Sequence, residues 1–334
     1  MGRKGKAPDF KKVSRPKPQT LETPGEVSLH EVRPSPRFSF HTGDRITDEL
    51  AVIGHLYIGN VAELYQVWST TYTCALTCKL MLPGFRTNSF EARAFKREAA
   101  LLRRLNHPNI VRLFGGGDYQ GRPFLLQEYL HGPSLLDLID SAPDRRTDVQ
   151  QAIKAIIHVC AAVDHLHSHG YVHRDIKPAN IIVRGGLPIL IDLGSAFRLQ
   201  PGRKPRRAIG TDPYMAPEQC LKAELSERTD VYQLAAVLYE MLAGRWPFED
   251  ELIKSRSEAL EGRFPQITKN HPPSVRKFNA SVSAELDCLI LKSMAKDPDK
   301  RVSTVRELVR NLAGFLEKEE QLWPESLNDK AQMV

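Results

Sequence analysis

The spacing of apolar positions changes near the middle of the chain. Residues 74–82 (CALTCKLML) form a short apolar run, and residues 110–116 and 123–130 form two more runs around turn residues, which is typical of β-strands. Between them, residues 89–105 carry apolar side chains at helical spacing, and Ser89 is placed to cap that helix. The first part of the folded region is therefore predicted to be strand-rich with one main helix.

After Gly132 the pattern is mainly helical. Residues 149–169 predict a long helix, and further helices are predicted over residues 227–242, 284–294 and 304–316. The apolar stripe of the long helix consists of Ile153, Ile156, Ile157, Cys160, Val163 and Leu166. The fold class is thus α+β, with two unlike lobes, a small β-rich N-lobe at 47–130 and a larger helical C-lobe at 131–316. A cleft between two lobes is a favoured place for a ligand.

The two ends of the chain differ from this body. Residues 1–46 hold ten Lys or Arg against five Asp or Glu, together with six prolines, which predicts a mostly disordered basic extension. A solvated tail is the simplest interpretation, and contact with an acidic partner or a membrane surface is the alternative. Nucleic acid is disfavoured as a partner because no zinc-finger spacing or single-strand-binding signature is present. Residues 317–334 are assigned to a C-terminal tail.

Composition and targeting patterns indicate the cellular compartment in which the protein is expected. Of 334 residues, 41% are apolar and 26% are charged, which suits a globular protein. We identify no transmembrane segment and no secretory signal in the sequence. The N-myristoylation pattern also fails, because Lys6 stands where that pattern requires Ser or Thr. Five cysteines without metal-like spacing predict free thiols. We therefore expect a soluble, cytoplasmic protein.

The most informative stretch is YVHRDIKPANIIV at residues 171–183, which places Asp175, Lys177 and Asn180 between a long helix and a short strand. LIDLGSAF follows with Asp192, and GTDPYMAPE comes later. In this order and spacing, the motifs resemble the signature set of eukaryotic-type (Hanks-type) Ser/Thr protein kinases. The few insertions make the chain similar to bacterial eukaryotic-like Ser/Thr kinases, and the resemblance covers roughly residues 48–316.

The resemblance implies transfer of the ATP γ-phosphate to Ser or Thr hydroxyls of protein substrates. Asp175 would orient the hydroxyl and accept its proton, and Lys177 would place positive charge beside the phosphoryl group. Asn180 and Asp192 would hold Mg²⁺, with Mn²⁺ as an alternative metal. Thr211 matches the threonine that positions the catalytic loop in Ser/Thr kinases.

Nucleotide contacts are also implied by the resemblance. Lys79 would bind the phosphates and pair with Glu98, which lies nineteen residues later. At the hinge, Gln127 would stand at the gate to the back pocket, and the backbone groups of Glu128 and Leu130 would meet the adenine edge. Leu64 and Ile182 would sandwich the base, although plain core packing explains the same two residues. Thr77 replaces the usual alanine, and its hydroxyl is expected to face the adenine pocket.

The glycine-rich loop of the family is poor in glycine here. In HLYIGNVAELYQV, residues 55–67, Tyr57, Gly59 and Ala62 fall on the three glycine positions when counted back from Lys79. Leu56, Tyr57 and Gly59 are expected to line the nucleotide site, and Tyr57 is expected to weaken or reorder ATP binding without affecting the chemistry. The alternative is that Gly54 supplies the first glycine through a longer loop.

Other matches are structural. Asp230 is expected to hold the catalytic-loop backbone, and Arg301 to pair with Glu218. An apolar column linking the lobes is expected from His173, Leu193, Leu102 and Leu113.

The activation segment, residues 192–218, has no Ser, Thr or Tyr between Ala196 and Gly210. Arg174 beside the catalytic Asp usually marks kinases that are switched by a phosphate on this segment. The hypothesis is therefore that activity does not depend on phosphorylation in its middle. Its basic stretch RKPRR, residues 203–207, is interpreted as a solvated loop or, alternatively, as a surface that attracts acidic substrates or an anionic effector.

Two other function classes remain. A pseudokinase or scaffold would be favoured by the loss of a charged catalytic residue, yet Lys79, Asp175, Asn180 and Asp192 are all present. A small-molecule phosphotransferase of related fold generally lacks the GTDPYMAPE segment and the downstream arginine, and both are present.

Overall fold

The first lobe is built on one antiparallel sheet. A computed structural model of the chain describes residues 37–86, 89–257, 264–268 and 271–317. The sheet has six strands in the order β1-β2-β3-β4-β6-β5. They are β1 (Arg45–Thr47), β2 (Leu50–Ile58), β3 (Ala62–Ser69), β4 (Cys74–Met81), β5 (Leu113–Tyr119) and β6 (Arg122–Glu128). Helix α1 (Phe90–Leu102) joins β4 to β5, as predicted, and Ser89 caps it by accepting a hydrogen bond from the Ala92 amide.

Strand alternation sorts the side chains of β4 between two faces. Leu76, Cys78 and Leu80 enter an apolar cluster on one face of the sheet. The residues between them, Thr77 and Lys79, point to the other face, which carries α1 and the interlobe cleft. This alternation delivers a lysine to the cleft from a strand that is otherwise apolar.

The start of the N-lobe differs from the boundary set by composition. Phe40 and Ile46 are buried in the sheet cluster, and Phe38 packs against it. The Phe40 amide donates to the Tyr65 hydroxyl at 3.1 Å. Residues 37–46 therefore lie on the N-lobe, because two phenylalanines outweigh the polar composition around them. The predicted disorder and partner contacts of residues 1–36 fall outside the described residues, as do residues 318–334 of the tail.

Strand β5 begins at Leu113 rather than at Ile110. The Val111 amide donates to the Leu190 carbonyl at 3.0 Å, and Ile110 forms a parallel bridge with Leu190. Residues 110–111 thus bond to the C-lobe, and they tie the two lobes together beside the cleft.

The C-lobe is mainly helical, which confirms the predicted α+β fold with two unlike lobes. Its core surrounds α5, whose residues from Thr229 to Ala243 are all buried. The helices are α2 (Leu135–Ser141), α3 (Val149–Ser168), α4 (Pro217–Cys220), α5 (Glu227–Ala243), α6 (Glu249–Ser257), α7 (Pro265–Thr268), α8 (Ala284–Ser293) and α9 (Val305–Ala313). The short strands are β7 (Tyr171–Val172), β8 (Ile181–Arg184), β9 (Leu187–Leu190) and β10 (Phe197–Arg198). Within the ranges that the structure describes, no helix combines the length and apolar character needed to cross a membrane.

Candidate active site

Side chains of α5 hold the loop between β7 and β8 by accepting hydrogen bonds from its backbone amides. The Asp230 carboxylate, on α5, accepts hydrogen bonds from the amides of His173 at 2.7 Å and Arg174 at 2.9 Å. Gln233, one turn further along α5, accepts from the Ile176 amide at 3.0 Å. The predicted role of Asp230 in holding this loop is confirmed, and the side chains of the loop are left to face the cleft.

Three side chains form a closed polar triangle at the centre of the site. The Thr211 hydroxyl donates to Asp175 Oδ1 at 2.7 Å and accepts from Lys177 Nζ at 2.8 Å. Lys177 Nζ also lies 3.1 Å from Asp175 Oδ2. The triangle joins the activation segment to the loop between β7 and β8, and it fixes the orientation of the Asp175 carboxylate, whose side chain is 6% exposed.

Asn180 is oriented by the same carboxylate. Its Nδ2 donates to the Asp175 backbone carbonyl at 2.9 Å and to Asp175 Oδ2 at 3.3 Å. With the amide nitrogen used in this way, the side-chain oxygen Oδ1 has no hydrogen-bond donor among the described residues.

A lysine from the N-lobe bridges two carboxylates. Lys79 Nζ lies 2.8 Å from Glu98 Oε2 and 2.8 Å from Asp192 Oδ1. Lys79 comes from β4, Glu98 from α1 and Asp192 from the start of the activation segment, so one ammonium group connects both lobes. The predicted Lys79–Glu98 ion pair is present.

These charges shift each other's pKa values. Burial favours the neutral amine of Lys79, but Asp192 and Glu98 outweigh burial and raise its pKa. Burial would raise the pKa of Asp192, but Lys79 outweighs it and holds the pKa well below its usual range. Burial raises the pKa of Glu98, against the opposing effect of Lys79. At neutral pH the site therefore holds a charged Lys79 and an ionised Asp192.

The turn at Asp192 leaves little room for a side chain two residues later. A Cβ at Gly194 would lie 3.1 Å from Asp192 Oδ1 and 3.3 Å from Glu98 Oε2. Asp192 itself has φ 61°, a left-handed conformation that costs a non-glycine residue about 1 kcal/mol. The strain persists because the Gly194 amide donates to Asp192 Oδ1 at 3.2 Å and Lys79 holds the same oxygen.

The hinge residues lie where β6 leaves the sheet. Gln127 is buried and pairs with Thr77 across the strands, and its Nε2 has no acceptor among the described residues. The Glu128 carboxylate is occupied by the Arg112 amide and the Arg184 guanidinium. The Glu128 amide also donates to the Arg112 carbonyl, so this amide is already used.

The two apolar side chains assigned to adenine, Leu64 and Ile182, come from strands of different lobes, and Leu130 follows β6 at the hinge. Leu64, on β3, pairs with Lys79 and packs with the cluster beneath α1. Ile182, on β8, bridges to Ser134, and Leu130 packs against the C-lobe core. The three residues thus border the cleft from both lobes.

The hairpin between β2 and β3 carries the glycine-poor loop. Leu56 is 42% exposed and Tyr57 is 57% exposed. A Cβ on Gly59 would lie 3.3 Å from the Tyr57 ring, which therefore rests against the Gly59 backbone. Gly54 is paired with Gln66 inside the sheet, so it lies in β2 and not in the turn. The longer-loop alternative through Gly54 is therefore not adopted.

The supporting contacts of the C-lobe match the sequence prediction. Arg301 forms two 2.8 Å bonds to the two oxygens of Glu218, and both side chains are buried. Leu102 and Leu193 share the C-lobe core, Leu113 packs against that core, and His173 is fully buried.

Two glutamines were not foreseen from sequence. Gln219 Nε2 and Gln233 Nε2 each donate to the Arg174 carbonyl at 2.8 Å. Arg174 has φ 70°, so its carbonyl is turned away from regular backbone bonding and needs these partners. The sequence contained one indication of this contact: the polar side chain of Gln233 interrupts the apolar residues of α5.

The two lobes, the lysine bridge and the polar triangle together form the arrangement of eukaryotic-type protein kinases. The sequence pattern of the family described as protein kinase domain matches residues 44–312. The chain belongs to this protein kinase domain family.

Relatives of known sequence agree with this assignment. The chain is 33% identical over 253 residues to the serine/threonine-protein kinase PknB of Mycolicibacterium smegmatis, which covers 73% of this chain and 39% of that protein. It is 28% identical over 275 residues to a probable PknB of Lactococcus lactis, which covers 81% of this chain and 42% of that protein. The chain thus spans about two fifths of the length of these relatives.

A solved structure shows the same fold. The kinase domain of PknI from Mycobacterium tuberculosis superposes with a TM-score of 0.64 at 22% identity, covering 82% of this chain and 98% of that chain.

Proposed function

We propose that the protein is a Ser/Thr protein kinase that transfers the ATP γ-phosphate to Ser or Thr hydroxyls of protein substrates. The observation that carries the proposal is the triangle of Thr211, Lys177 and Asp175. It presents one buried carboxylate, oriented by a hydroxyl and an ammonium group, to the cleft. The names of the PknB relatives support the Ser/Thr class.

Asp175 is proposed to orient the substrate hydroxyl and to accept its proton. Its Oδ1 is held by Thr211, so the carboxylate cannot rotate freely when the hydroxyl approaches. Lys177 is proposed to offset the negative charge of the transferring phosphoryl group, because its ammonium already reaches the same carboxylate.

Lys79 is proposed to bind the nucleotide phosphates. Its raised pKa keeps the ammonium group charged, and Glu98 holds it on the cleft side of β4. Leu56, Tyr57, Gly59 and Leu64 are proposed to cover the nucleotide from the N-lobe. The residues proposed to meet the base from the hinge and the C-lobe are Gln127, Glu128, Leu130 and Ile182.

Asn180 and Asp192 are proposed to hold Mg²⁺ or Mn²⁺. The donor set fits such a hard cation, since Asn180 offers an oxygen that accepts no hydrogen bond and Asp192 is ionised with one oxygen free of Lys79. When bound, the metal supplies positive charge to the phosphate oxygens.

A phosphate-transfer assay tests the proposal. The wild-type chain and Asp175→Asn are compared with labelled ATP, Mg²⁺ and a generic Ser/Thr protein substrate. The matched control is Asp299→Asn, which removes an exposed carboxylate on the C-lobe surface. We expect the control to retain transfer and Asp175→Asn to lose at least about a thousandfold, the scale of a general base together with its electrostatic role.

Equal transfer by Asp175→Asn and the wild type would reject the mechanism. Binding of Mg-ATP by a wild-type chain that transfers no phosphate would instead favour the scaffold alternative.

The free state of all five cysteines supports a reducing compartment such as the cytoplasm for this activity.

A further inference from the structure

The basic stretch of the activation segment, residues 203–207, is anchored at both of its ends and in its middle. Arg203 lies over the Phe197 ring and Arg207 lies over the Phe90 ring, with guanidinium carbons 4.7 and 4.9 Å from the ring centroids. Pro205, between them, is buried. These three contacts give the stretch a defined place on the surface of the protein.

Two cations of this stretch have no partner. Lys204 and Arg206 stand on either side of Pro205, and both are exposed. Among the residues that the structure describes, neither side chain forms a hydrogen bond, an ion pair or a ring contact. An exposed cation of this kind keeps all of its N–H donors for another molecule. We call Lys204 and Arg206 the free cations.

The surrounding segment concentrates positive charge. Residues 196–210 contain five Lys or Arg and no Asp or Glu. Residues 47–334 carry a net charge of only +2, so the rest of that region is net negative. The positive potential is therefore localised beside one stretch of chain, where it favours acidic groups.

The free cations are tethered close to the Asp175 carboxylate. The Ile209 carbonyl accepts a hydrogen bond from Gln219 Nε2 at 2.9 Å, and the Thr211 hydroxyl donates to Asp175 Oδ1 at 2.7 Å. Arg206 precedes Thr211 by five residues, which span at most about 18 Å even when fully extended. A substrate peptide with its hydroxyl at Asp175 covers the same distance in about five residues.

The spacing of the free cations suits an extended peptide. Their Cα atoms, two residues apart in the chain, are at most about 7 Å from each other. Alternate side chains on one face of an extended peptide have the same spacing of about 7 Å. Lys204 and Arg206 can therefore each meet a different acidic side chain of one peptide.

We propose that the free cations select protein substrates that carry Asp or Glu within about six residues of the phosphorylated Ser or Thr. The inference rests on the proposed kinase function and names the substrate class of the same site. Each substrate carboxylate forms an ion pair with one free cation while the acceptor hydroxyl lies at Asp175.

Two peptides test this preference in a transfer assay with the wild-type chain, ATP and Mg²⁺. In the glutamate peptide a run of glutamates flanks the acceptor serine on each side, and in the glutamine peptide every Glu is replaced by Gln. We expect KM to be about tenfold lower for the glutamate peptide at about 50 mM NaCl, the combined scale of two exposed ion pairs of about threefold each. The difference should shrink at about 500 mM NaCl, because salt screens exposed charges.

Variants locate the preference on the surface. Lys204→Gln and Arg206→Gln each remove one free cation, and the double variant removes both. Lys300→Gln is the matched control, since it removes an exposed lysine from the turn before Arg301, outside the activation segment. The quantity compared is the KM for the glutamine peptide divided by the KM for the glutamate peptide, because a general defect of the variant affects both KM values alike.

We expect each single variant to lower this ratio about threefold and the double variant to bring it close to one, while Lys300→Gln stays within about twofold of the wild type. The proposal is overturned if the wild-type ratio is itself close to one, or if the double variant keeps the wild-type ratio. It is also overturned if Lys300→Gln lowers the ratio as far as the double variant does.

Binding without turnover separates this inference from the proposed function. Labelled versions of both peptides, with alanine in place of the acceptor serine, are titrated with the nucleotide-free chain and followed by fluorescence polarisation. If the chain phosphorylates neither serine peptide but binds the glutamate version more tightly, and the double variant loses that difference, the proposed function is rejected and the free cations remain a surface for acidic peptides. If both versions bind equally and both serine peptides are phosphorylated with equal KM, the inference is overturned and the proposed function stands.

Discussion

The hydroxyl of Thr211 donates a 2.7 Å hydrogen bond to Asp175 Oδ1, from a position 36 residues further along the chain. The same hydroxyl accepts from Lys177 Nζ at 2.8 Å, so one side chain contacts both charged groups of the loop between β7 and β8. Thr211 thus makes the geometry of the loop depend on the end of the activation segment.

Thr211→Val removes both hydrogen bonds with little change of volume. Because hydrogen bonds to charged groups contribute about 1.5–3 kcal/mol, we expect kcat to fall roughly ten- to a hundredfold while the Kd for ATP changes little. Thr211→Ser keeps the hydroxyl and should retain most of kcat. Steady-state kinetics together with ATP titration check this, and a Thr211→Val enzyme with unchanged kcat would show that the triangle does not orient Asp175.

Full activity is expected without phosphorylation of the activation segment. The stretch 196–210 has no hydroxyl, and the Ser195 backbone carbonyl already holds Arg174. Phosphatase treatment of active protein should leave kcat unchanged within about twofold, and Ser195→Ala should behave in the same way. Intact-mass spectrometry checks the phosphate content, and loss of activity that returns on phosphorylation of Ser195 or Thr211 would contradict this expectation.

The motifs predicted the contacts within the candidate site more completely than the contacts around it. The pairs Lys79–Glu98 and Glu218–Arg301 could be predicted because each partner occupies a recognisable sequence position. Helix and strand positions followed from apolar periodicity, which reports the buried face directly. The strand predicted at residues 110–116 begins three residues later, at Leu113. Residues 110–111 bond to β9 instead, and the local sequence pattern does not reveal that partner.

Contacts between distant side chains that no motif marks could not be predicted from the sequence. Nothing in the spacing of Phe90 and Phe197 indicates that each ring carries two arginines. The packing of Phe38 and Phe40 on the sheet was hidden by the proline-rich composition of the preceding residues. Such contacts depend on tertiary placement, which composition and period do not encode.

Gln127→Met is expected to stabilise the fold. Gln127 is buried with an amide nitrogen that has no acceptor among the described residues, and methionine has nearly the same volume without that group. Leaving a buried donor unsatisfied costs about 1–3 kcal/mol, so the free energy of unfolding should rise by about 1 kcal/mol. Urea unfolding measures it, with Gln127→Ala as a cavity-forming comparison that should destabilise; a destabilised Met variant would mean that Gln127 has a partner in solution.

Stability is expected to fall as pH decreases below about 6.5, the ordinary pKa of histidine. His173 is fully buried, and burial lowers its pKa despite the nearby Asp230 and Asp175 carboxylates. The native state therefore binds fewer protons than the unfolded state in this range, and protonation favours unfolding. Burial likewise lowers the pKa values of His107, His158 and His165, which adds to the effect.

The measurement is Tm between pH 7.5 and 5.5. The loss of Tm should be shallower in His173→Phe than in the wild type, even though the variant also loses the acceptor for the Asp175 amide. His41→Gln is the comparison variant, because it replaces a histidine whose side chain is 90% exposed. Equal slopes for all three proteins would exclude His173 as a source of the pH dependence.

Tyr57 is expected to limit nucleotide affinity without limiting the chemistry. Its ring rests against Gly59, on the hairpin proposed to cover the phosphates, so nucleotide must either displace the ring or bind beneath it. Displacing the ring forfeits several atom–atom contacts of about 0.1–0.2 kcal/mol each, so Tyr57→Gly should lower the Kd for ATP roughly threefold and leave kcat within about twofold. Tyr57→Phe keeps the ring and should bind ATP as the wild type does, which separates the effect of the ring from that of the hydroxyl. Fluorescence titration with ATP and Mg²⁺ measures the three Kd values, and a Tyr57→Gly protein with unchanged or weaker affinity would show that the ring does not oppose nucleotide binding.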